Sequence, residues 1–353
     1  MGVYARQQSI GANKALIAWL YTGLIMTFLI VVIGGITRLT ESGLSMVDWR
    51  PIMGSIPPLS AEEWQQTFEK YKSSPQFQEH NFDFELADFK SIFWWEYIHR
   101  AFARLISIVF MIPFLLFLVG RKISLPLFFR LLLVLFLGGA QGLIGWYMVK
   151  SGLIDVPRVS HFRLAAHLLT AFTTIGYIYW VVLELKHQKA PLTTAMKPFR
   201  KWSLALLILV GLQIMYGAFV AGKDAGLIHT TWPLMDGHFI HPSSVSLSSF
   251  WENLTFNSSM IQFVHRTLAI LVFVFAWALK WEASKRNLKG ALNKTYTLIA
   301  GMVSLQFILG VLTLIMKVPI LLAILHQFGA LVVLLLVIRS FFFTKADAER
   351  AGT

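Results

Sequence analysis

The segment EYIHR at 96–100 recurs as QFVHR at 262–266, and two apolar stretches beyond each copy stands one more histidine, His167 and His326. A neutral imidazole offers one nitrogen to a metal while the other keeps a proton that a nearby acceptor can orient. Two histidines facing each other from different helices can therefore clamp an iron porphyrin, with apolar side chains walling its macrocycle. The pairs His99/His167 and His265/His326 predict two haem sites.

One difference between the copies bears on chemistry. Glu96 stands three residues before His99, where Gln262 stands three before His265, and that spacing puts each pair on one helix face. A carboxylate beside an intramembrane site is costly unless it has a partner or a task, whereas an amide can only hydrogen-bond. The first half is thus the expected seat of a reaction and the second that of a permanent cofactor. Arg100 and Arg266, one residue beyond each histidine, read either as side chains reaching for lipid headgroups or, slightly preferred, as contacts for haem propionates. Glu-x-x-His also occurs in di-iron bundles, but the second copy lacks the Glu, and Glu184 is the one other carboxylate in the helices. A di-iron centre is therefore set aside. His80, His161, His187, His229, His238 and His241 have no repeated partner and read as surface residues, with a loop metal site at 229–241 as the lesser alternative.

The elements that must position these groups come from an internal duplication. Gly34, Gly43, Leu44, Trp49 and Gly54 reappear, each 183 positions later, as Gly217, Gly226, Leu227, Trp232 and Gly237. Past the histidine the offset is 166 at His99/His265, 165 at Gln141/Gln306 and Gly145/Gly310, and 159 at His167/His326. An unchanged order of landmarks means two homologous halves. Gly138, Gly139, Gly142 and Gly145 are read as a small face for close helix packing.

With 56% apolar residues and only 14% charged, the chain lies outside ordinary soluble usage. Apolar runs near 15–36, 96–119, 125–147, 161–184, 202–221, 260–281, 295–316 and 320–343 are each long enough to cross a hydrocarbon core of roughly 30 Å. The expected fold is an all-α integral membrane protein with eight transmembrane helices in two pseudo-symmetric four-helix bundles, residues 1–190 and 191–353. On these bounds His99 and His265 fall in the first turn or so of their helices, and His167 and His326 about six residues in.

Most of the Lys and Arg outside these runs lie in the two tails and in the segments after the second, fourth and sixth helices, which places both termini in the cytoplasm. The long 37–95 loop, with five Lys/Arg against nine Asp/Glu, then faces outward. This bias accounts for the net charge of +13 without a nucleic-acid partner. A bacterial plasma (inner) membrane, with lipid as the surrounding partner, is the expected home. Cysteine is absent, so neither disulfides nor a thiol relay contributes, and any redox chemistry must use a bound cofactor.

GGITRLTESGLS at 34–45, WRPIMGSIPP at 49–58, WEYIHR at 95–100 and RLAAHL at 163–168 together resemble the haem A synthase family. The likeness spans the whole chain and is nearest the branch shared by proteobacterial enzymes and the mitochondrial assembly factor. The resemblance implies oxidation of a methyl group of haem O to the formyl group of haem A by successive hydroxylations, with oxygen from water, for use in haem-copper terminal oxidases. It further implies haem b between His265 and His326, substrate haem O between His99 and His167, and Glu96 as the essential acidic residue. Haem O synthase and cytochrome oxidase assembly factors are the partners it suggests; a homo-oligomer is left open. Relatives in other branches carry cysteine pairs in outer loops, and a mechanism that needs those thiols cannot operate here. Two competing readings are a bis-histidine b-type electron-transfer cytochrome and a haem transport or assembly chaperone. The 37–95 loop, 17 residues longer between matched landmarks than its partner (Gly43 to His99 against Gly226 to His265), is either a lid or a docking surface.

Overall fold

The computed structural model describes residues 2–47, 56–153, 158–187 and 197–344. The repeated Trp49 and Gly54 therefore lie outside the described residues, as does the 190/191 boundary. The helices are α1 (Gly2–Leu39), α2 (Ala61–Lys72), α3 (Pro75–Glu79), α4 (Leu86–Val119), α5 (Leu125–Lys150), α6 (His161–Lys186), α7 (Lys197–Gly222), α8 (Phe250–Phe256), α9 (Ser258–Lys285), α10 (Gly290–Ile315) and α11 (Ile320–Thr344). Among the described residues there is no strand, only an isolated bridge between Met235 and His238. All except α2, α3 and α8 are long and apolar enough to cross a bilayer, which gives the eight expected spans.

By contact the chain groups into Met1–Thr174 and Ile175–Thr353, so the division falls within α6. In the second unit α7 packs against α9 and α11, and α10 packs against the same two, closing a ring of four helices. In the first, α1 lies along α4, where Trp19 stacks on Phe110 at 4.6 Å and its indole N–H donates to the Val109 carbonyl at 3.1 Å. Phe114 of α4 stacks on Phe128 of α5.

The duplication extends to the backbone. Glu41 (φ 53°) and Asp224 (φ 49°), 183 positions apart, both take the left-handed conformation and lead into matched 3-10 turns, Ser42–Leu44 and Ala225–Leu227. Arg121 (φ 54°) and Asn287 (φ 51°), 166 apart, do the same just past the ends of α4 and α9.

One expectation is corrected. α4 starts at Leu86, not near 96, so His99 lies 13 residues past its first residue, and His265 lies 7 past Ser258. Hydropathy marks where a helix enters lipid. The helix itself begins earlier, at a reciprocal cap between Glu85 and Asp88. In the second half the equivalent stretch is broken at Asn257, whose extended backbone separates α8 from α9 and whose side chain caps the N–H groups of Ser259 and Met260. α4 is thus the uninterrupted counterpart of α8 plus α9.

The extra length carries a small outer subdomain. A capping box at Ser60/Glu63 starts α2, and Ser74 followed by Pro75 starts α3. Trp64, Phe68 and Tyr71 of α2 pack against Phe89, Ile92 and Phe93 of α4, with Phe89 stacked on Phe68 at 5.2 Å and on Tyr71 at 5.0 Å. The Tyr71 hydroxyl meets Gln76 Oε1 and accepts from Asn81, and burial pushes the phenol up to about 12. Gln76 in turn donates to the Glu41 carbonyl at 2.7 Å, tying the subdomain to the end of α1. Phe89 is fully buried, so Phe89→Ala is expected to cost about 3–5 kcal/mol and to open the 60–85 segment to limited proteolysis. Unchanged protection would show that this aromatic core does not hold the segment.

Candidate functional site

Each of the four histidines rests on a glycine of a neighbouring helix. A Cβ at Gly34 of α1 would come within 3.2 Å of the His99 ring, and one at Gly145 of α5 within 3.1 Å of His167. In the second unit the same relation holds between Gly217 of α7 and His265 at 3.2 Å, and between Gly310 of α10 and His326 at 2.8 Å. Gly34/Gly217 and Gly145/Gly310 are repeat partners, so the duplication has preserved four imidazole seats. A missing side chain lets the ring lie against the helix backbone, which fixes its orientation before any ligand arrives. Close packing of helices is not what the rest of the α5 glycine face provides: Gly138, Gly139 and Gly142 have nothing within 4 Å of a built Cβ.

A second repeated pair orients the histidine-bearing helices. Gln141 donates its amide N–H to the His167 carbonyl at 3.0 Å, and Gln306 donates to the His326 carbonyl at 2.8 Å. Gln306 also lies 3.1 Å from His326 Nδ1, and Gln213 lies 3.4 Å from His265 Nε2. Gln141 and Gln306 are legible as repeat landmarks, but their task is not, since a carbonyl clamp depends on the facing of two helices.

His265 and His326 stand with ring centroids 6.5 Å apart and planes crossed at 80°. Two imidazoles ligating one iron from opposite sides, each through a nitrogen about 2 Å away, place their centroids roughly 6 Å apart. The buried His265 Nδ1 has no hydrogen-bond partner among the described residues. Spacing, burial and donor type together fit a bis-histidine metal centre. His99 and His167 stand in the first unit on the Gly34 and Gly145 seats, and the buried His167 Nδ1 has no hydrogen-bond partner among the described residues. The structure thus sets His265 and His326 face to face and holds His99 and His167 on the matching seats of the first unit.

Glu96 is 3% exposed. Its Oε2 accepts from the Ser45 hydroxyl at 2.7 Å and the Met46 N–H at 2.8 Å, and its Oε1 pairs with Arg100 at 2.5 Å. Arg100 also donates to the Met46 carbonyl. In the second half, His229 occupies the place of Met46. Its carbonyl accepts from Arg266 at 2.6 Å and Gln262 at 3.0 Å, while Arg266 adds the carbonyls of Thr231 and Leu234. Both arginines thus anchor the outer turn that follows the first helix of each half, a protein role that neither sequence reading included. Glu96 against Gln262 exchanges an acceptor of a backbone N–H for a donor to a backbone carbonyl.

Two of the six remaining histidines are not surface residues: His161 and His229 are buried. His161 stacks against Phe162, and His229 sits in a polar network with Asp236 and Ser259. That network bonds to the Asp236 carboxyl and, with Thr231 assisting, holds it below the usual range.

The glycine seats yield a direct test. Gly310→Ala places its Cβ 2.8 Å from the His326 ring, against open space for Gly301→Ala on the same helix. Gly310→Ala is expected to reduce haem retention by about tenfold or more and to displace the low-spin absorption bands, with Gly301→Ala unchanged. Equal spectra for the two variants would remove the seat from the account.

Eight spans, four of them carrying the paired histidines, define a multi-pass, all-α membrane protein. The family profile of the cytochrome oxidase assembly proteins matches residues 17–338, and the chain belongs to that family. It is similar to a protein named heme A synthase from Flavobacterium psychrophilum, 44% identical across 91% of this chain and 96% of the relative. A protein of the same name from Nitrosospira multiformis is 43% identical across 92% of each chain, and one from Caulobacter vibrioides 42% identical across 91% of this chain and 94% of the relative.

Proposed function

We propose that this protein is a haem A synthase, an oxidoreductase that converts a methyl substituent of haem O into the formyl group of haem A. The observation that carries the reading is the asymmetry of a symmetric frame. Both halves present a histidine pair on glycine seats, yet only the first places a carboxylate three residues before its histidine. A b-type cytochrome would need no such difference.

In this reading His265 and His326 hold haem b, and His99 and His167 receive haem O as substrate. When bound, haem b supplies a one-electron carrier inside the second bundle. The overall conversion takes up one water and releases four protons and four electrons as R–CH3 becomes R–CHO. Two hydroxylations of the same carbon give a geminal diol, which loses water. The chain's own groups must position that methyl, admit water to it and take charge off it. Glu96 is suited to the last task, because three donors hold its oxygens in place and leave roughly one of about four acceptor directions open. Held so firmly at a buried site, the carboxylate serves best to stabilise positive charge developing on the oxidised carbon, and carries protons away secondarily. Arg100 fixes it in that position, and Arg266 fixes the matching turn over the haem b site. Each arginine has further N–H groups with which to meet a propionate of the haem in its own half.

The haem A so made supplies haem-copper oxidases in a bacterial plasma membrane, with both termini cytoplasmic and the histidine sites in the outer half of the bilayer. Haem O synthase supplies the substrate. The test is mass identification of haems extracted from the purified protein, expressed with and without a haem O synthase. Haem A or its hydroxylated precursor appearing only with the synthase is the expected result. Haem b alone in both preparations would leave the cytochrome reading in its place.

A further inference from the structure

We propose that the outer loop of the second half is a binding site for a divalent first-row transition cation, held by His229, Asp236 and His241. One ligand atom from each lies within 4.8 Å of the others. None of the three belongs to the histidine pairs, and the site does not depend on the proposed reaction.

The loop is built to bring them together. Met235 and His238 exchange backbone hydrogen bonds of 2.7 and 3.0 Å around a turn in which Asp236 (φ 49°) and Gly237 (φ 88°) are both left-handed. Thr231 Oγ1 takes the Asp236 N–H at 2.7 Å and reaches its Oδ1 at 3.2 Å. That leaves Oδ2 aimed at His229 Nδ1, 2.6 Å away. His241, fixed just before Pro242, lays its ring 4.3 Å from that of His229.

The far nitrogens of both imidazoles are already claimed by one hydroxyl pair. Ser259 Oγ lies 2.9 Å from His229 Nε2, Ser243 Oγ lies 2.7 Å from His241 Nδ1, and the two hydroxyls are 2.8 Å apart. Histidines that ligate metals characteristically engage their second nitrogen in this way, which sets tautomer and ring direction. What remains for a cation is His229 Nδ1, Asp236 Oδ2 and, once its proton moves to Nδ1 in place of the Ser243 N–H bond accepted there at 3.3 Å, His241 Nε2. Two neutral imidazoles and a carboxylate suit Zn²⁺ or a neighbouring first-row ion rather than Ca²⁺ or Mg²⁺, which prefer all-oxygen sets. A cation there would displace the proton between His229 and Asp236. The His229 side chain is 5% exposed whereas that of Asp236 is 44% exposed, so the ion would reach the site from the outer face.

The position gives the site a consequence. The carbonyls of His229, Thr231 and Leu234 in this loop are those that hold Gln262 and Arg266, which flank His265. An ion that stiffens the loop stiffens that support.

The experiment is Zn²⁺ titration of the EDTA-treated, detergent-solubilised protein, read by isothermal calorimetry and by the thermal midpoint followed at the haem absorbance. One equivalent is expected to bind and to raise the midpoint. Asp236→Asn and His241→Ala should each weaken binding at least tenfold and abolish the rise, while His80→Ala, altered at an exposed histidine in the first unit, binds as the parent does. The haem absorbance of the two loop variants should match the parent before Zn²⁺ is added, which separates loss of a ligand from loss of fold. No binding by the parent, or equal binding by parent and both loop variants, would overturn the proposal.

Discussion

His326→Ala is expected to yield folded protein from which the low-spin haem spectrum is gone, with bound haem reduced by at least about tenfold. His326 faces His265 at a centroid separation of 6.5 Å, and Gln306, 3.1 Å from the His326 Nδ1, is committed to the His326 carbonyl. His265→Ala should behave alike. His99→Ala and His167→Ala should keep the spectrum, because their pair lies in the first unit, and should instead lose turnover of haem O. Absorption spectra of the four purified variants decide the matter. Retention of the low-spin bands in either His326→Ala or His265→Ala would defeat the assignment of haem b to the second half.

Glu96→Gln carries the second large effect, an expected loss of about 10²–10⁴ in haem A formation with haem b still bound and haem O accumulating. The substitution also strips the counter-charge from Arg100, and breaking a buried pair in this way costs about 3–5 kcal/mol. A structural baseline is therefore needed. Ser45→Ala removes one neutral donor to the same carboxylate, costs about 1 kcal/mol, and should leave turnover within a few-fold of the parent. Haem composition of membranes from both strains, with the thermal midpoint of each protein, separates the roles. Normal haem A output from Glu96→Gln would end the catalytic assignment, and loss of haem b from that variant would recast Glu96 as a brace for the outer turn.

The features legible in the sequence are those that repetition and hydropathy encode directly. Eight spans, two histidine pairs and the Glu96/Gln262 difference each follow from residue type and spacing, and all have their places in the structure. What escaped depends on which atoms of distant helices meet. Gly34, Gly145, Gly217 and Gly310 were visible as repeated glycines, yet a glycine that seats a ring and one that admits a backbone look alike in sequence. The task of Arg100 and Arg266 was hidden because backbone carbonyls leave no compositional trace. The early start of α4 was missed because residues 86–95 mix Asp88 and Lys90 with aromatics, so a hydropathy window discounts them although the helix runs through. His229 read as a surface residue because its burial comes from a loop folded by Thr231, Asp236 and Ser259.

The unbroken course of α4 turns that helix into a ruler. Phe89 and Phe93, in the aromatic core of the outer subdomain, and Glu96 and His99, at the candidate site, are fixed to one rod, each residue advancing about 1.5 Å and about 100°. A single residue gained or lost between Phe93 and Glu96 would swing the whole outer subdomain by more than a quarter turn about the helix axis. The second half, interrupted at Asn257, carries the matching stretch on a separate short helix, α8, whose turn is not set by α9. The outer segments before these two helices are therefore unequal as units of inheritance: α8 of the later one can change without turning the helix that bears His265, while the earlier one must descend together with the helix that bears Glu96.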